Sequence, residues 1–207
     1  MTLALICNPH HPEPRKIAHA AQILERGGVA LYPTDTVYAL GCVLDDKKAV
    51  ERIRQLKAMD EKQPLAMICP DLSNIAKYAI VTDFAYRLMR RILPGPYTVV
   101  LAATREVPKL LLDKRRTIGI RVPKSPICEA LVRALGRPLL TTSAVPPGSE
   151  TGPVMDVADG KEAWPHGLDV TIDGGLVPNE PSTVISLIND EIEILREGLG
   201  TVEGVVA

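Results

Sequence analysis

The chain has 207 residues, of which 46% are hydrophobic, 24% charged and only 3% aromatic, and its net charge is −1 at pH 7. That length and balance exclude a disordered or low-complexity chain. They predict a single domain over 1–207 with an aliphatic core that buries about 70% of its unfolded surface without disulfide or metal staples. No window approaches the ~20 consecutive apolar residues of a membrane helix, and the run Leu3 to Cys7 lacks a basic leader, so neither a span nor a signal peptide is expected.

Cysteines at 7, 42, 69 and 128 form no Cys-x-x-Cys pair, and the four histidines form no metal-binding pair. Free thiols in a reduced cytoplasm follow, with no structural metal. Charge is divided along the chain. Residues 87–137 carry 12 basic and 3 acidic groups, whereas residues 138–207 carry 2 and 12. The +9 segment either packs against the −10 segment or presents an anion-binding face.

Strands and helices alternate in the expected order. Leu3 to Cys7 reads as a strand and Pro14 to Arg26 as a helix with Ile17, Ala20, Ala21 and Leu24 on one face. Val29 to Tyr32 is a short strand, and Asp45 or Asp46 caps a helix carrying Val50, Ile53 and Leu56. Leu65 to Cys69 is the next strand. Thr82 opens a helix with Phe84, Leu88, Met89 and Ile92 inward, ended by Pro94-Gly95-Pro96. Tyr97 to Ala103 and Thr117 to Val122 read as strands. Ser125-Pro126 then opens a helix with Ile127, Ala130, Leu131, Ala134 and Leu135 inward and Gly136 past its end. Leu139 to Thr142 is a strand, Val145 to Pro153 a loop, and strands near Val170 to Ile172, Thr183 to Leu187 and Ile192 to Leu195 close the chain. This is an α/β pattern with a mixed sheet, because some strands follow too closely for a crossover helix.

Small polar clusters stand at the strand ends, where α/β folds place ligands. Thr34-Asp35-Thr36 either receives a polar ligand group or forms an Asx or Ser/Thr turn, with Asp35 capping a following helix. Arg121, flanked on its strand face by Thr117 and Gly119, either grips a carboxylate or phosphate or pairs with an internal acid, since burying it alone is costly. Thr141-Thr142-Ser143 leads into the mobile-looking loop, and Ser182-Thr183 and Arg196 add hydroxyls and a cation. Lys57 reads either as a phosphate contact or as a solvated helix-end lysine. No P-loop and no His-supported nucleophile is present.

Taken in order, YPTDTVYALGC, LK…KQPLAM, LPGPYTVVL, TIGIRVP, LLTTSA, PSTVI and ILREG resemble the YrdC/YciO family, the threonylcarbamoyl-adenylate synthases and their relatives. The likeness runs from Gly27-Gly28 to Gly198 and is strongest to the YciO branch. It implies a twisted mixed sheet around a positively lined cavity. It also implies a chemistry that joins ATP, L-threonine and bicarbonate, with Mg²⁺ arriving only on the nucleotide, in a tRNA modification pathway. By the same resemblance, Thr34, Arg121 and Ser182 would bind the amino-acid-like substrate, and Lys57, Thr117, Ser143 and Arg196 the nucleotide. Where the synthases carry Lys-x-Arg and Ser-x-Asn this chain has Met59 and Val145, and Ile68 replaces a histidine. These departures predict weak synthase activity. The resemblance leaves open an adenylate hydrolase or transferase using the same pocket. It also suggests duplex RNA binding, for which Lys114-Arg115-Arg116 supply the charge. The sequence assigns no catalytic residue and no oligomeric state.

Overall fold

The computed structural model describes residues 2–60, 63–112 and 115–206. The chain runs β1 (Leu3–Ile6), α1 (Pro14–Glu25), β2 (Ala30–Pro33), β3 (Tyr38–Val43), α2 (Lys47–Leu56), β4 (Ala66–Ile68), α3 (Ile75–Tyr78), α4 (Asp83–Ile92) and β5 (Tyr97–Ala102). It continues through β6 (Thr117–Arg121), α5 (Pro126–Leu135), β7 (Leu139–Ser143), α6 (Val157–Ala163), β8 (Val170–Asp173), β9 (Thr183–Ser186), β10 (Glu193–Arg196) and α7 (Glu203–Val206). Among the described residues the ten strands form one mixed sheet in the order β1-β8-β2-β3-β7-β4-β6-β5-β9-β10.

Capping chemistry sets the helix starts. Asp46, Thr82 and Ser125 each accept a backbone N–H from the residue three positions on, which satisfies a donor that has no partner within the helix. The α2 helix closes differently. Ala58 adopts the left-handed conformation at φ 48°, and Met59 N–H donates back to Arg54 O at 2.8 Å. Trp164, just after α6, donates its indole N–H to Leu56 O at 2.7 Å and pins this helix end.

Three expectations need correction. The strand Tyr38–Val43 is not foreseen by periodicity, and Asp35 caps no helix, because β3 follows the Thr34-Asp35-Thr36 turn instead. Every position of β3 is buried, so its sequence does not alternate. Gly41 lets Tyr32 cross it closely, since a Cβ there would meet Tyr32 Cε1 at 2.8 Å. Second, Val157–Ala163 is a helix that the reading lacks, begun by Asp156 accepting from Asp159 N–H. Third, α5 buries Cys128 and Val132 alongside Ile127, Leu131 and Leu135, while Ala134 is exposed. The apolar stripe is rotated toward the larger side chains because they gain more by burial.

The two faces of the sheet are covered unequally. Leu31, Tyr38, Leu40, Met67, Val99, Leu101, Ile118 and Ile120 face a core completed by α2, α3 and α4. On the opposite face Ala30, Tyr32, Ala39 and Leu139 pack beneath α1 and α5. Those two helices cover the β1-β8-β2-β3-β7 half and reach β4 only at Ile68, its last residue. Over the start of β4 and over β6, β5 and β9 that face stays open, and the alternation of side chains places Thr117, Gly119 and Arg121 there.

Candidate functional site

The opening is a cavity of about 300 Å³ whose walls include Thr98, Thr117, Gly119, Arg121, Ser182 and Arg196. It sits where β4 gives out. Ala66 pairs with Gly119 on one side and Thr141 on the other, so in register Pro64 falls between Thr117 and Ser143. Proline cannot donate to the ladder, and the sheet parts at that point. Gly119 keeps the floor clear. A Cβ there would stand 3.2 Å from Thr98 Cγ2 and 3.3 Å from Ala66 Cβ.

Arg121 is 5% exposed, and its Nη2 donates to Asp35 Oδ1 and to Thr36 Oγ1, both at 2.8 Å. The internal acid that the sequence left open is therefore Asp35, whose second oxygen accepts Lys124 N–H at 2.9 Å. Arg121 nonetheless lines the cavity, and its Nε is buried with no partner. Arg196 enters from the far wall. It donates from Nε and Nη2 to Ser182 O at 3.2 and 2.8 Å, and Ser182 Oγ lies 2.8 Å from Thr98 Oγ1. Burial of its guanidinium, and then the charge of Arg121, push the Arg196 pKa below the ordinary arginine value.

Lys57 caps α2 and is not a solvated lysine. Its Nζ donates to Thr142 Oγ1 at 2.7 Å, and burial pushes its pKa down to about 8. It lines a neighbouring cleft of about 430 Å³ together with Met59, Pro64 and Val145. The two apolar replacements noted in the sequence thus face one space. Ile68 lies elsewhere, buried beneath α5.

Five of the seven nominated ligand-binding residues, Thr117, Arg121, Ser143, Ser182 and Arg196, share the cavity wall, and Lys57 adjoins it through Thr142. Thr34 stands back. Its hydroxyl donates to Val37 O at 2.7 Å and lies 3.0 Å from Thr36 Oγ1, so it reaches the cavity only through Thr36 and Arg121. Of the basic triplet, Arg115 and Arg116 are exposed and Lys114 lies outside the described residues. Thr98 and Asp35 are contributors that spacing alone underrates. A threonine within the apolar strand TVVL was the available signal for the first; the second stood in the Thr34-Asp35-Thr36 cluster already singled out, but nothing local tied it to Arg121. Among the described residues no cluster of three or more His, Cys, Asp or Glu could hold a metal ion, and no helix is long and apolar enough to cross a membrane.

Comparison with known proteins returns the same mixed α/β fold. The chain belongs to the Sua5/yciO/yrdC family, whose profile, described as "Telomere recombination", matches residues 22–198. It is 43% identical to the uncharacterized protein YciO of Escherichia coli K12 over 197 residues, 95% of each chain. The crystal structure of E. coli YciO superposes with a TM-score of 0.94 over 100% of both chains. The chain is also related to the threonylcarbamoyl-AMP synthases. It is 34% identical to that of Halorhodospira halophila over 86% of this chain and 92% of the other. The crystal structure of P. abyssi Sua5 complexed with L-threonine matches at 29% identity and a TM-score of 0.88, covering 95% of this chain and 58% of that one.

Proposed function

We propose that the protein binds a nucleotide or acyl-adenylate in this cavity and is a slow threonylcarbamoyl-adenylate synthase at most. The observation that carries the reading is the charge balance of the walls. Arg121 and Arg196 both line the cavity, and among the described residues the only carboxylate bonded to either is Asp35, so the space favours an anion. Arg121 and Ser182 would meet the carboxylate and hydroxyl of a small amino-acid-like part, with Thr34 holding the turn behind them. Lys57, Ser143, Thr117 and Arg196 would meet the nucleotide, and Mg²⁺ would accompany ATP. Kinship with the threonylcarbamoyl-AMP synthase of Halorhodospira halophila supports this assignment, as does the complex of P. abyssi Sua5 with L-threonine. Four free, buried cysteines suit a reducing cytoplasm.

Titration calorimetry with ATP, AMP and L-threonine, with and without bicarbonate, tests the reading. Saturable binding of a nucleotide supports it, and an empty pocket with all of them sinks it. Duplex RNA binding through Arg115 and Arg116 is the alternative from another class. It draws less support, because Arg115 shares a groove with Glu191 and Glu193, which repel a phosphate backbone. A steep fall of RNA affinity with salt, lost on reversing the charge of both arginines, would restore that alternative.

A further inference from the structure

At its β7 end the cavity shares Pro64 with the cleft of Lys57, Met59 and Val145, and at its β10 end it shares Val100, Thr117 and Leu195 with the groove of Glu191 and Glu193. The β7 end also holds Thr141, which lines the cavity although it is only 3% exposed. Thr141 stands in register between Gly41 on β3 and Ala66 on β4. It therefore marks the line where the helix-covered half of the sheet face gives way to the open half.

One hydrogen bond fixes its hydroxyl. Tyr32, packed beneath α1 and α5, passes over Gly41 and donates its phenol O–H to Thr141 Oγ1 at 2.7 Å. The crossing needs a glycine, because a Cβ at position 41 would stand 3.0 Å from the phenol oxygen. Burial pushes the Tyr32 pKa up, so the phenol keeps its proton and stays the donor. A hydroxyl oxygen that accepts a bond still carries a proton of its own, and accepting one makes it a better donor. Among the described residues the bond from Tyr32 is the only one that the Thr141 side chain makes, and it arrives from the covered half. The remaining proton has the cavity to point into. Ser143, two residues on along the same strand face, lines the same wall, and Lys57 reaches this strand through Thr142.

Resting on the nucleotide-binding reading above, we propose that Thr141 is a further ligand-binding residue, which donates its hydroxyl proton to a phosphate oxygen of the nucleotide beside Ser143, and that Tyr32 is the positioning residue that turns this proton into the cavity. Position 141 then selects for an acceptor oxygen, since a ligand that displaces water and leaves the hydroxyl without an acceptor loses affinity.

The test is calorimetry with AMP and ATP on the natural full chain, Thr141→Ser, Thr141→Val, Tyr32→Phe, and Tyr32→Phe combined with Thr141→Val. For a nucleotide that binds the natural protein, Thr141→Val should weaken binding at least about tenfold, as for loss of a hydrogen bond to a charged group, and Thr141→Ser should stay within about twofold. Tyr32→Phe should weaken it about threefold alone and not at all when Thr141→Val is already present, because a positioning residue has no effect once the group it positions is gone. A purely structural Tyr32 would weaken binding in both backgrounds. Equal affinity of the natural chain and Thr141→Val, or a Tyr32→Phe effect that persists beside Thr141→Val, overturns this inference and leaves the anion cavity standing. Failure of both nucleotides to bind the natural chain overturns both readings. If Thr141→Val alone does not fold, the double variant, which leaves neither partner of the buried bond unpaired, takes its place and should show the same loss of at least about tenfold.

Discussion

Arg121 and Asp35 form a buried ion pair across 86 residues of sequence, Nη2 to Oδ1 at 2.8 Å, with side chains 6% and 8% exposed. The pair joins the turn after β2 to the end of β6 and holds one edge of the guanidinium, while the arginine still faces the cavity. Removing one partner of such a pair leaves a buried charge and costs about 3–5 kcal/mol, whereas removing both is far milder. Arg121→Met alone should therefore lower the unfolding free energy by that amount. Arg121→Met combined with Asp35→Asn should recover most of it, as read by urea unfolding. Neither variant should bind AMP. Wild-type AMP affinity in the double variant would show that Arg121 serves the fold alone.

Lys57 makes a prediction about pH. Its folded pKa of about 8 lies below the ordinary lysine value of 10.5, so the folded state disfavours the charged amine. The penalty is fully present below pH 8 and disappears by about pH 10.5, because across that window the unfolded chain binds more protons. Lys57→Met should be more stable than the natural protein at pH 7 by up to about 3 kcal/mol, and the difference should shrink as pH rises through the window. A constant difference from pH 7 to 10.5 in denaturant titrations would refute the assignment.

Gly119 separates cavity space from fold. The methyl groups of valine would extend beyond a Cβ that is already 3.2 Å from Thr98 and 3.3 Å from Ala66, into the space between Thr117 and Arg121. Gly119→Val should cost about 1–3 kcal/mol through overpacking and should abolish nucleotide binding while the protein stays folded. Circular dichroism with calorimetry checks both halves. Unchanged affinity would move the ligand site away from β6.

Ala58 occupies the left-handed region at φ 48° to end α2. Ala58→Gly should stabilise the protein by roughly 1 kcal/mol, seen as a raised Tm, because glycine adopts this conformation without the Cβ clash. A lowered Tm would mean that unfolded-chain entropy outweighs the relieved strain.

Met59 and Val145 line one cleft beside Lys57. The natural protein should release pyrophosphate only slowly from ATP with L-threonine and bicarbonate, and Met59→Arg with Val145→Asn should accelerate it. Each single change should recover less than about half of the logarithmic gain if the two groups serve one phosphate. Brisk turnover by the natural sequence would refute this reading of the two positions.

Much of the fold was legible because local rules agree with it. Asp46, Thr82 and Ser125 cap the helices they announce, and most strands fall at their apolar runs within a residue or two. Two of the misses, β3 and the α5 stripe, come from burial and packing that no local pattern shows. The wholly buried β3 has no alternation to read, and the stripe of α5 is set by which side chains fill the space over β2 and β7.

Sequence by itself determined the inventory of the site: two arginines, a lysine and a set of hydroxyls at strand ends, in an order that resembles one family. Only the tertiary structure decided which of them meet. It gathered Thr117, Arg121, Ser143, Ser182 and Arg196 around the place where β4 stops, and it drew Thr34 back into its own turn. Asp35 was chosen as the partner of Arg121, and Glu191 and Glu193 were set at one exit with Met59 and Val145 at the other. Those pairings span up to about a hundred residues of chain, and no local rule carries them, because they depend on strand order and register rather than on the neighbours of any one residue.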